Sequence, residues 1–430
     1  MFEKRKLYEI GEVVSGGTPR TSKEEYWNGE IPWITPKDLS SHEGRFISRG
    51  ERNISYEGVK NSSAKILPKD TVLFTSRAPI GYIAIAKNEV TTNQGFKSII
   101  ANKNSYYSFI YYLLKNNIDY IKKFANGSTF QEVSGSVMKN IEFKIPILIE
   151  QKAIANILST LDDKIEVNNQ INKTLESMAQ AIFKHWFIDF EFPNESGAPY
   201  KSSGGEMIES ELGMIPKGWD IISLDKIIDI VNGYSYKGSD LNESNNAMVT
   251  IKNFDRNGGY KIDGLKEIIL SNRVKKHHFL EINDVVVAHT DLTQGAEIIG
   301  NPVMILSKGK YEKLIMSMDV VKAVPKSEYV SNAFIYSLLK TNSFKQHALG
   351  YVNGTTVLHL SKKAIPLYNI PFPIKIDLCK KLSNILNNIM IRISLGICEK
   401  DNLVLLRDTL LPKLMSGEIR VPLNESGDEQ

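Results

Sequence analysis

Ala155-Asn156-Ile157-Leu158 returns 228 positions later as Ser383-Asn384-Ile385-Leu386. Around the first copy a seam steps alternately by four and three residues: Ile154, Leu158, Leu161, Ile165, Asn168, Asn172, Leu175, Ala179, Ile182 and Trp186. Shifted by 228, it falls on Leu382, Leu386, Ile389, Ile393, Gly396, Lys400, Leu403, Arg407, Leu410 and Leu414. This heptad pattern, apolar at its ends and polar in its middle, predicts two long helices paired as a coiled coil. No proline interrupts either copy before Pro412. A helix from Glu150 to Ile188 would span roughly 58 Å.

The repetition extends outward from the helices. Leu7…Val14-Ser15-Gly16 returns as Leu224…Val231-Asn232-Gly233, Asp70…Gly81 as Asp284…Gly295, and Asn126-Gly127-Ser128-Thr129 as Asn353-Gly354-Thr355-Thr356. The interval is near half of the 430 residues, so one unit is used twice and a pseudo-two-fold molecule is expected. Helices at equivalent ends of such a unit run antiparallel. End-to-end pairing then sets Ile154 near Leu414, Ile165 near Leu403, Asn168 near Lys400 and Asn172 near Gly396. The polar middle reads either as a buried layer that fixes register or as a solvated stretch.

Ahead of each helix lies an α/β (α+β) segment. In the first copy Ile31 to Thr35, Asp70 to Ser76 and Tyr82 to Ala86 have the β-branched and aromatic content of strands. Tyr106 to Lys122 reads as a helix, and Ile141 to Ile147 as an extended exit through Pro146. In the second copy the strands are Ala247 to Lys252, Asp284 to Thr290 and Ala296 to Gly300, the helix Ala333 to Gln346, and the exit Ile370 to Ile374. Pro193 to Gly218, with Ser202-Ser203-Gly204-Gly205 inside it, reads as a surface connection. The expected division is 1–149 and 219–373 for the α/β domains, 150–190 and 374–418 for the helices, 191–218 for the linker and 419–430 for a tail.

Composition narrows the function classes. Hydrophobic content of 42% is ordinary for a globular chain, and the length allows about two to four domains. No apolar run approaches the ~18 residues of a membrane span, and the start lacks a signal-peptide core, so a cytoplasmic protein is expected. Net charge of +4 permits nucleic-acid binding through a local basic face without arguing for it. The two cysteines, Cys379 and Cys398, suit reduced, partly buried thiols in a helix better than a metal site. There is no Gly-x4-Gly-Lys-Ser/Thr loop, no Gly-x-Gly-x-x-Gly opening a helix and no His-Glu-x-x-His. Asn301-Pro302-Val303 lacks the second proline and the aromatic of an adenine methyltransferase motif. His277-His278 reads as a surface pair, Asp162-Asp163 as a solvated helix face, and Glu142-Phe143-Lys144 lacks the acidic partner of a nuclease core.

Glu150-Gln151 through Ile165, continuing to Asn168-Asn169-Gln170-Ile171-Asn172, resembles the central conserved helix of type I restriction–modification specificity subunits. Phe183 to Phe190, Pro199 to Met207, Glu211 to Trp219 and the C-terminal Leu410 to Arg420 are similar to further stretches of that family, and the internal repeat is itself a family trait. The resemblance covers essentially the whole chain. It implies two target recognition domains, each reading half of a split double-stranded DNA sequence. It implies paired helices that set the spacer and dock two adenine-N6 methyltransferase subunits, with motor-nuclease subunits joining them. The chain itself would be non-catalytic and bind no cofactor, while the complex would use AdoMet and ATP with Mg²⁺. No membrane association is implied. One departure is visible: the second helix begins Lys375-Ile376-Asp377-Leu378-Cys379 where the first has Glu150-Gln151.

Loops that match between copies but differ in side chains are the expected DNA readers, since two half-sites need not be identical. Gly16, Gly17, Thr18 and Arg20 correspond to Gly233, Tyr234 and Lys237. The glycines allow close backbone approach and the cations suit phosphates or bases. Ser76 and Arg77 correspond to His289, Thr290 and Gln294. Arg77 suits a guanine edge and Gln294 an adenine. Gly127, Ser128 and Thr129 correspond to Gly354 and Thr355, fitting phosphate contact or a helix cap. Lys37 corresponds to Lys252 and Arg256. Ordinary turns and solvated charges account for each of these loops as well. Two other classes remain open: an enzyme with diverged methyltransferase or nuclease motifs, and a coiled-coil adaptor that binds protein only.

Overall fold

The computed structural model describes residues 2–127, 131–256, 258–293 and 295–422. The chain divides into two compact units, residues 1–167 with 402–430, and residues 168–401. Each joins one α/β domain to part of both long helices.

In the first unit a five-stranded sheet runs in the order Gly11–Ser15, Lys97–Ala101, Val72–Phe74, Ile83–Ala86, Phe46–Ile47. Its pairs are antiparallel except the last, and Val72 faces Ile99 on one side and Ile85 on the other. A smaller sheet sets Trp27–Ile34 between Arg52–Ile54 and Thr91–Thr92. Glu3–Lys6 pairs with the exit strand Glu142–Ile145. The second unit repeats this order. Ile228–Asn232, Val320–Pro325, Val285–Ala288 and Pro302–Met304 form an antiparallel sheet lacking only the fifth, edge strand. Asn246–Val249 pairs in parallel with Lys313–Met316, as Trp27–Ile34 does with Thr91–Thr92. Trp219–Ser223 pairs with the exit strand Asn369–Pro373. The duplication thus holds in strand order as well as in sequence.

Three expectations change. Ala296 to Gly300 is a turn rather than a strand, because the Ile298 and Ile299 amides donate to the Asp291 carboxylate at 2.8 and 3.1 Å and leave no ladder. Each predicted domain helix is two: Tyr107–Asn116 with Ile118–Lys122, and Asn332–Leu339 with Asn342–Leu349, the last capped by the Thr341 hydroxyl. The connection after Pro193 contains the hairpin Met207–Ser210 and Gly213–Pro216.

The first long helix runs Leu148–Phe183 and continues as a π turn, Lys184–Ile188; the second runs Asp377–Ser416. Both enter the domain cores. In the first unit Ile154 and Leu158 of one helix, and Leu414 and Met415 of the other, join Val72, Phe74, Ile85 and Phe109 in one cluster. In the second, Ala179 and Phe183 meet Leu382, Leu386, Met390 and Ile393 together with Val285 and Phe334, while Leu175, Ile182 and Ile389 are partly buried beside them. Each fully buried Leu, Ile, Val, Phe or Met among them contributes roughly 1.5–3 kcal/mol by leaving water. Within each unit the helices run antiparallel: Arg420 reaches Glu150 at 2.7 Å in the first, and Asn168 donates to Glu399 at 3.1 Å in the second.

The seam drifts from the strict heptad. Asp162 rather than Leu161 is buried, and Phe183 rather than Ile182. A helix packed on both a partner and a domain buries a broader stripe, and its 3.6-residue turn slips against a seven-residue repeat. Asp162 is therefore not on a solvated face. It is 3% exposed, accepts from the Tyr112 hydroxyl at 2.7 Å and pairs with Arg407 at 2.7 Å. Asp163 is exposed and pairs with the buried Arg45, which also donates to Glu166 at 3.3 Å. The polar middle is buried at Asn168, whose partner is Glu399 rather than Lys400; Asn172 lies against Gly396, where a Cβ would strike its amide. The cysteines differ: Cys379 is buried, which pushes its thiol up to about 12, while Cys398 is exposed.

Gln151 is 1% exposed and accepts from the Tyr106 amide at 3.0 Å, at the start of the domain helix. The second copy lacks that glutamine. There the buried Ser383 hydroxyl accepts from the Ser331 amide at 3.1 Å, again at the start of the domain helix.

Candidate nucleic-acid interface

Five polar segments gather at one end of the first sheet. Strand Gly11–Ser15 ends where Lys97–Ala101 begins, with Ser15 opposite Lys97. Gly17 donates to the Thr92 carbonyl at 2.8 Å, Asn93 to Ile34 at 3.0 Å, Ser76 to Gly95 at 2.8 Å and Val133 to Ser76 at 3.0 Å. Residues 15–20, 35–38, 75–79 and 92–97, with 126–127 and 131–134, thereby form one rim. Two buried tryptophans hold its first loop: Trp33 donates its indole N–H to the Gly17 carbonyl at 3.0 Å, and Trp27 to Arg20 at 3.3 Å. Thr35 and Asp38 cap each other, with the Thr35 amide 2.7 Å from the Asp38 carboxylate, and leave Lys37 outside.

The second sheet builds the same rim from different side chains. Tyr234 donates its amide to Met316 at 2.8 Å, Ser317 to Val249 at 2.9 Å, His289 to Asp319 at 2.8 Å and Leu360 to His289 at 2.9 Å. Thr250 and Asn253 repeat the turn of Thr35 and Asp38, the Thr250 amide lying 2.9 Å from the Asn253 side-chain oxygen. Gly127 and Gly354 take the same left-handed backbone, φ 110° and 106°, at equivalent turns.

A family model described as the type I restriction modification DNA specificity domain matches residues 1–177 and again residues 216–395. The chain belongs to the type I restriction–modification DNA specificity family. Among its relatives is the MjaIX specificity subunit of Methanocaldococcus jannaschii, 36% identical over 98% of this chain and 94% of that one. The MjaVIII specificity subunit of the same organism is 24% identical over 98% and 93%. The crystal structure of a type I restriction–modification S subunit from M. genitalium matches with a TM-score of 0.59 at 18% identity, covering 96% of each chain, which is a likeness of fold. A specificity subunit is the non-catalytic DNA-recognition component of its system. No helix among the described residues is long and apolar enough to cross a membrane.

In this specificity subunit the glycines of both first loops serve the protein's own packing. A Cβ on Gly16 would strike Thr92 and Asn93, on Gly17 the backbone of Ser63 and Ala64, and on Gly233 the Ser317 carbonyl. Ser76 and Tyr234, expected on exposed loops, are buried. The Ser76 hydroxyl donates to Gly95 at 3.2 Å, and the Tyr234 hydroxyl lies 2.8 Å from that of Ser271 and accepts from Arg273 at 3.0 Å. Thr290 is buried in a short strand beside Asp319. His289 is held below its usual pKa by burial and by Lys362 and His359, which disfavours its charged form in the free chain. Ser128, Thr129 and Gln294 lie outside the described residues.

The open side of the rims is carried by other residues. In the first domain Arg20 is exposed, Thr18 bonds the exposed Gln94, and Lys37 pairs with Glu51 at 2.9 Å in full solvent. Arg77 is half-buried and shares Glu132 with Lys97, at 3.4 and 3.3 Å. In the second domain Lys237, Lys252 and Thr355 are exposed, and Arg256 reaches Glu297 at 3.1 Å. Four features escaped the sequence reading. Gln94 sits in an Asn-Gln-Gly turn of the kind that presents a side chain. Met318 and Leu292 expose apolar side chains at the second rim, 57% and 67%. Arg273, Lys275 and Lys276 form a basic run joined to the first loop by the Arg273–Tyr234 bond, visible in sequence beside the histidine pair. Asp291 takes the place of Arg77. Burial alone would raise its pKa, but the Thr293, Ile298 and Ile299 amides and the Thr293 hydroxyl hold it below the usual carboxylate range.

Proposed function

We propose that each recognition domain reads one half of a bipartite double-stranded DNA target through its rim. The long helices set the spacing between the halves and dock two methyltransferase subunits, which methylate adenine N6 with AdoMet. Motor-nuclease subunits, using ATP and Mg²⁺, join this core and cut unmodified DNA. This chain contributes no catalytic group and binds no cofactor. One observation carries the reading: two rims with the same strand order and the same turns present different side chains, the exposed Arg20 and Gln94 with the half-buried Arg77 in one, the exposed Lys237, Lys252, Lys276 and Met318 in the other. A rigid scaffold with interchanged polar tips is what two unlike half-sites demand. Arg77 suits a guanine edge, and the exposed lysines suit phosphates.

The test is methylation of a randomised DNA library by the subunit co-expressed with its methyltransferase. A split motif with methyl-adenine in each half is expected. Methylation by this chain alone would return it to the enzymes, and methylation indifferent to its presence would make it an adaptor.

A further inference from the structure

We infer that Tyr112 and Tyr336 are positioning residues: each fixes the setting of its recognition domain on the first long helix, and so limits which spacings between half-sites are accepted. The inference rests on the bipartite reading proposed above. The observation behind it is a paired departure from the repeat. The two domain helices share a sequence, Phe109-Ile110-Tyr111-Tyr112-Leu113-Leu114-Lys115 and Phe334-Ile335-Tyr336-Ser337-Leu338-Leu339-Lys340. Tyr336 therefore matches Tyr111, and Tyr112 matches Ser337. Yet it is Tyr112 that donates to Asp162 at 2.7 Å in one copy, and Tyr336 that donates to Glu176 at 2.7 Å in the other. Lys340 adds a second bond to Glu176, and Arg407 pairs with Asp162 at 2.7 Å.

Both carboxylates belong to the first long helix. Their equivalents in the repeat, Met390 and Val404 of the second helix, carry no charge. An inherited contact would have kept equivalent partners, so each copy acquired its bond separately, to the same helix. The side chains packed around these two bonds are apolar, Phe109, Leu113, Ile154 and Leu158 in one unit and Phe334, Leu338, Ala179 and Phe183 in the other, while Gln151 and Ser383 tie only the start of each domain helix through its backbone. Apolar contact is non-directional and tolerates rolling of one helix on another. A hydrogen bond to a fixed carboxylate is directional and accepts one setting, and at Asp162, 3% exposed, leaving it unmade also takes a bond from an acceptor held away from water. Tyr112 is fully buried and the Tyr336 phenol nearly so, and burial with the facing carboxylate keeps both protonated as donors.

The experiment uses the full subunit assembled with its methyltransferase, on targets whose spacer is the native length or one base pair shorter or longer. Tyr112→Phe and Tyr336→Phe are each expected to lower discrimination between native and altered spacers about tenfold, the scale of one charge-assisted hydrogen bond, with the half-site bases unchanged. Val404→Ala should leave discrimination intact. Asp162→Asn, made with Tyr112 intact, keeps an acceptor for the phenol and should retain most of the discrimination that Tyr112→Phe loses. Equal loss on all three spacers would mark the tyrosines as merely stabilising and overturn the inference, as would no change in either variant whose melting shows it folded. If the wild-type complex recognises no split site at all, the bipartite reading fails first.

Discussion

The two junctions between recognition domain and helix pair are built on one apolar plan and two polar plans. Phe109, Ile110, Leu113 and Leu114 sit as Phe334, Ile335, Leu338 and Leu339 do. The polar ties differ throughout: Gln151 holds the Tyr106 amide where Ser383 holds that of Ser331, and Tyr112 grips Asp162 where Tyr336 grips Glu176. A packed apolar seat depends on total volume and shape, so it survives many single changes. A hydrogen bond depends on two named groups and disappears with either, after which a new pair can arise nearby. The comparison teaches that duplication preserved the seats while the bonds were replaced.

The largest effect is expected from Asp162→Ala. Arg407, 14% exposed in its side chain, would lose its buried partner, at a cost of about 3–5 kcal/mol in chemical denaturation. Glu176→Ala should cost less, about 1–2 kcal/mol, because Lys340 is 27% exposed and can turn to water. Equal costs would erase the difference between the junctions. The rims separate next. Arg77→Ala should relax the first half-site at one base by about 1–3 kcal/mol, measured by competition among single-base variants. Lys276→Ala should weaken all sequences alike and lower the salt slope by about one, measured by binding at several salt concentrations. A base-selective effect of Lys276 would reverse that assignment.

Gln151 also donates to the Pro146 carbonyl and Ser383 to that of Tyr329, so Gln151→Ala and Ser383→Ala are each expected to lower stability by about 1–2 kcal/mol, the scale of two hydrogen bonds. A cost from one alone would show that the other amide finds a new partner. The smallest effect is one of pH. Burial works to raise the Glu176 pKa, but the Lys340 charge and the bonds from Lys340 and Tyr336 leave it below its ordinary value. Its contribution is therefore complete above the unfolded carboxylate pKa, about 4.3, and is lost as pH falls through the folded value. The stability gap between wild type and Glu176→Gln should be flat from about pH 5 to 8 and close below about pH 4. A gap that widens on acidification would contradict the direction of the shift.

The helices and the repeat were legible because period and recurrence are properties of sequence itself. Strands were legible where β-branched runs lay between turn residues, as at Asp70 to Ser76 and Asp284 to Thr290, while Lys97–Ala101 and Val320–Pro325, in the middle of the two sheets, were not. Ala296 to Gly300 misled because its isoleucines have strand chemistry while their amides are taken by Asp291, a partner the pattern does not show. Asp162 misled for a related reason: the residues that make its burial tolerable lie 50 and 245 positions away. At the rims, the loops themselves were legible from their turns. The orientation of each side chain was not, since Ser76 and Tyr234 face inward while Gln94 and Lys276 face out. That choice is made by packing between segments far apart in the chain.

The presence of Ile154, Leu158, Leu414 and Met415 inside the first domain's core bears on how such a protein is inherited in parts. A graft cut at residue 149 would carry the reading surface but leave behind a wall of its own interior. The piece that closes on itself is discontinuous, residues 1–167 together with 402–422, and its seams fall beside the polar layer of Asn168 and Glu399. Exchanging one α/β domain for that of a relative is therefore expected to take two cuts, one in each long helix near Asn168 and Glu399.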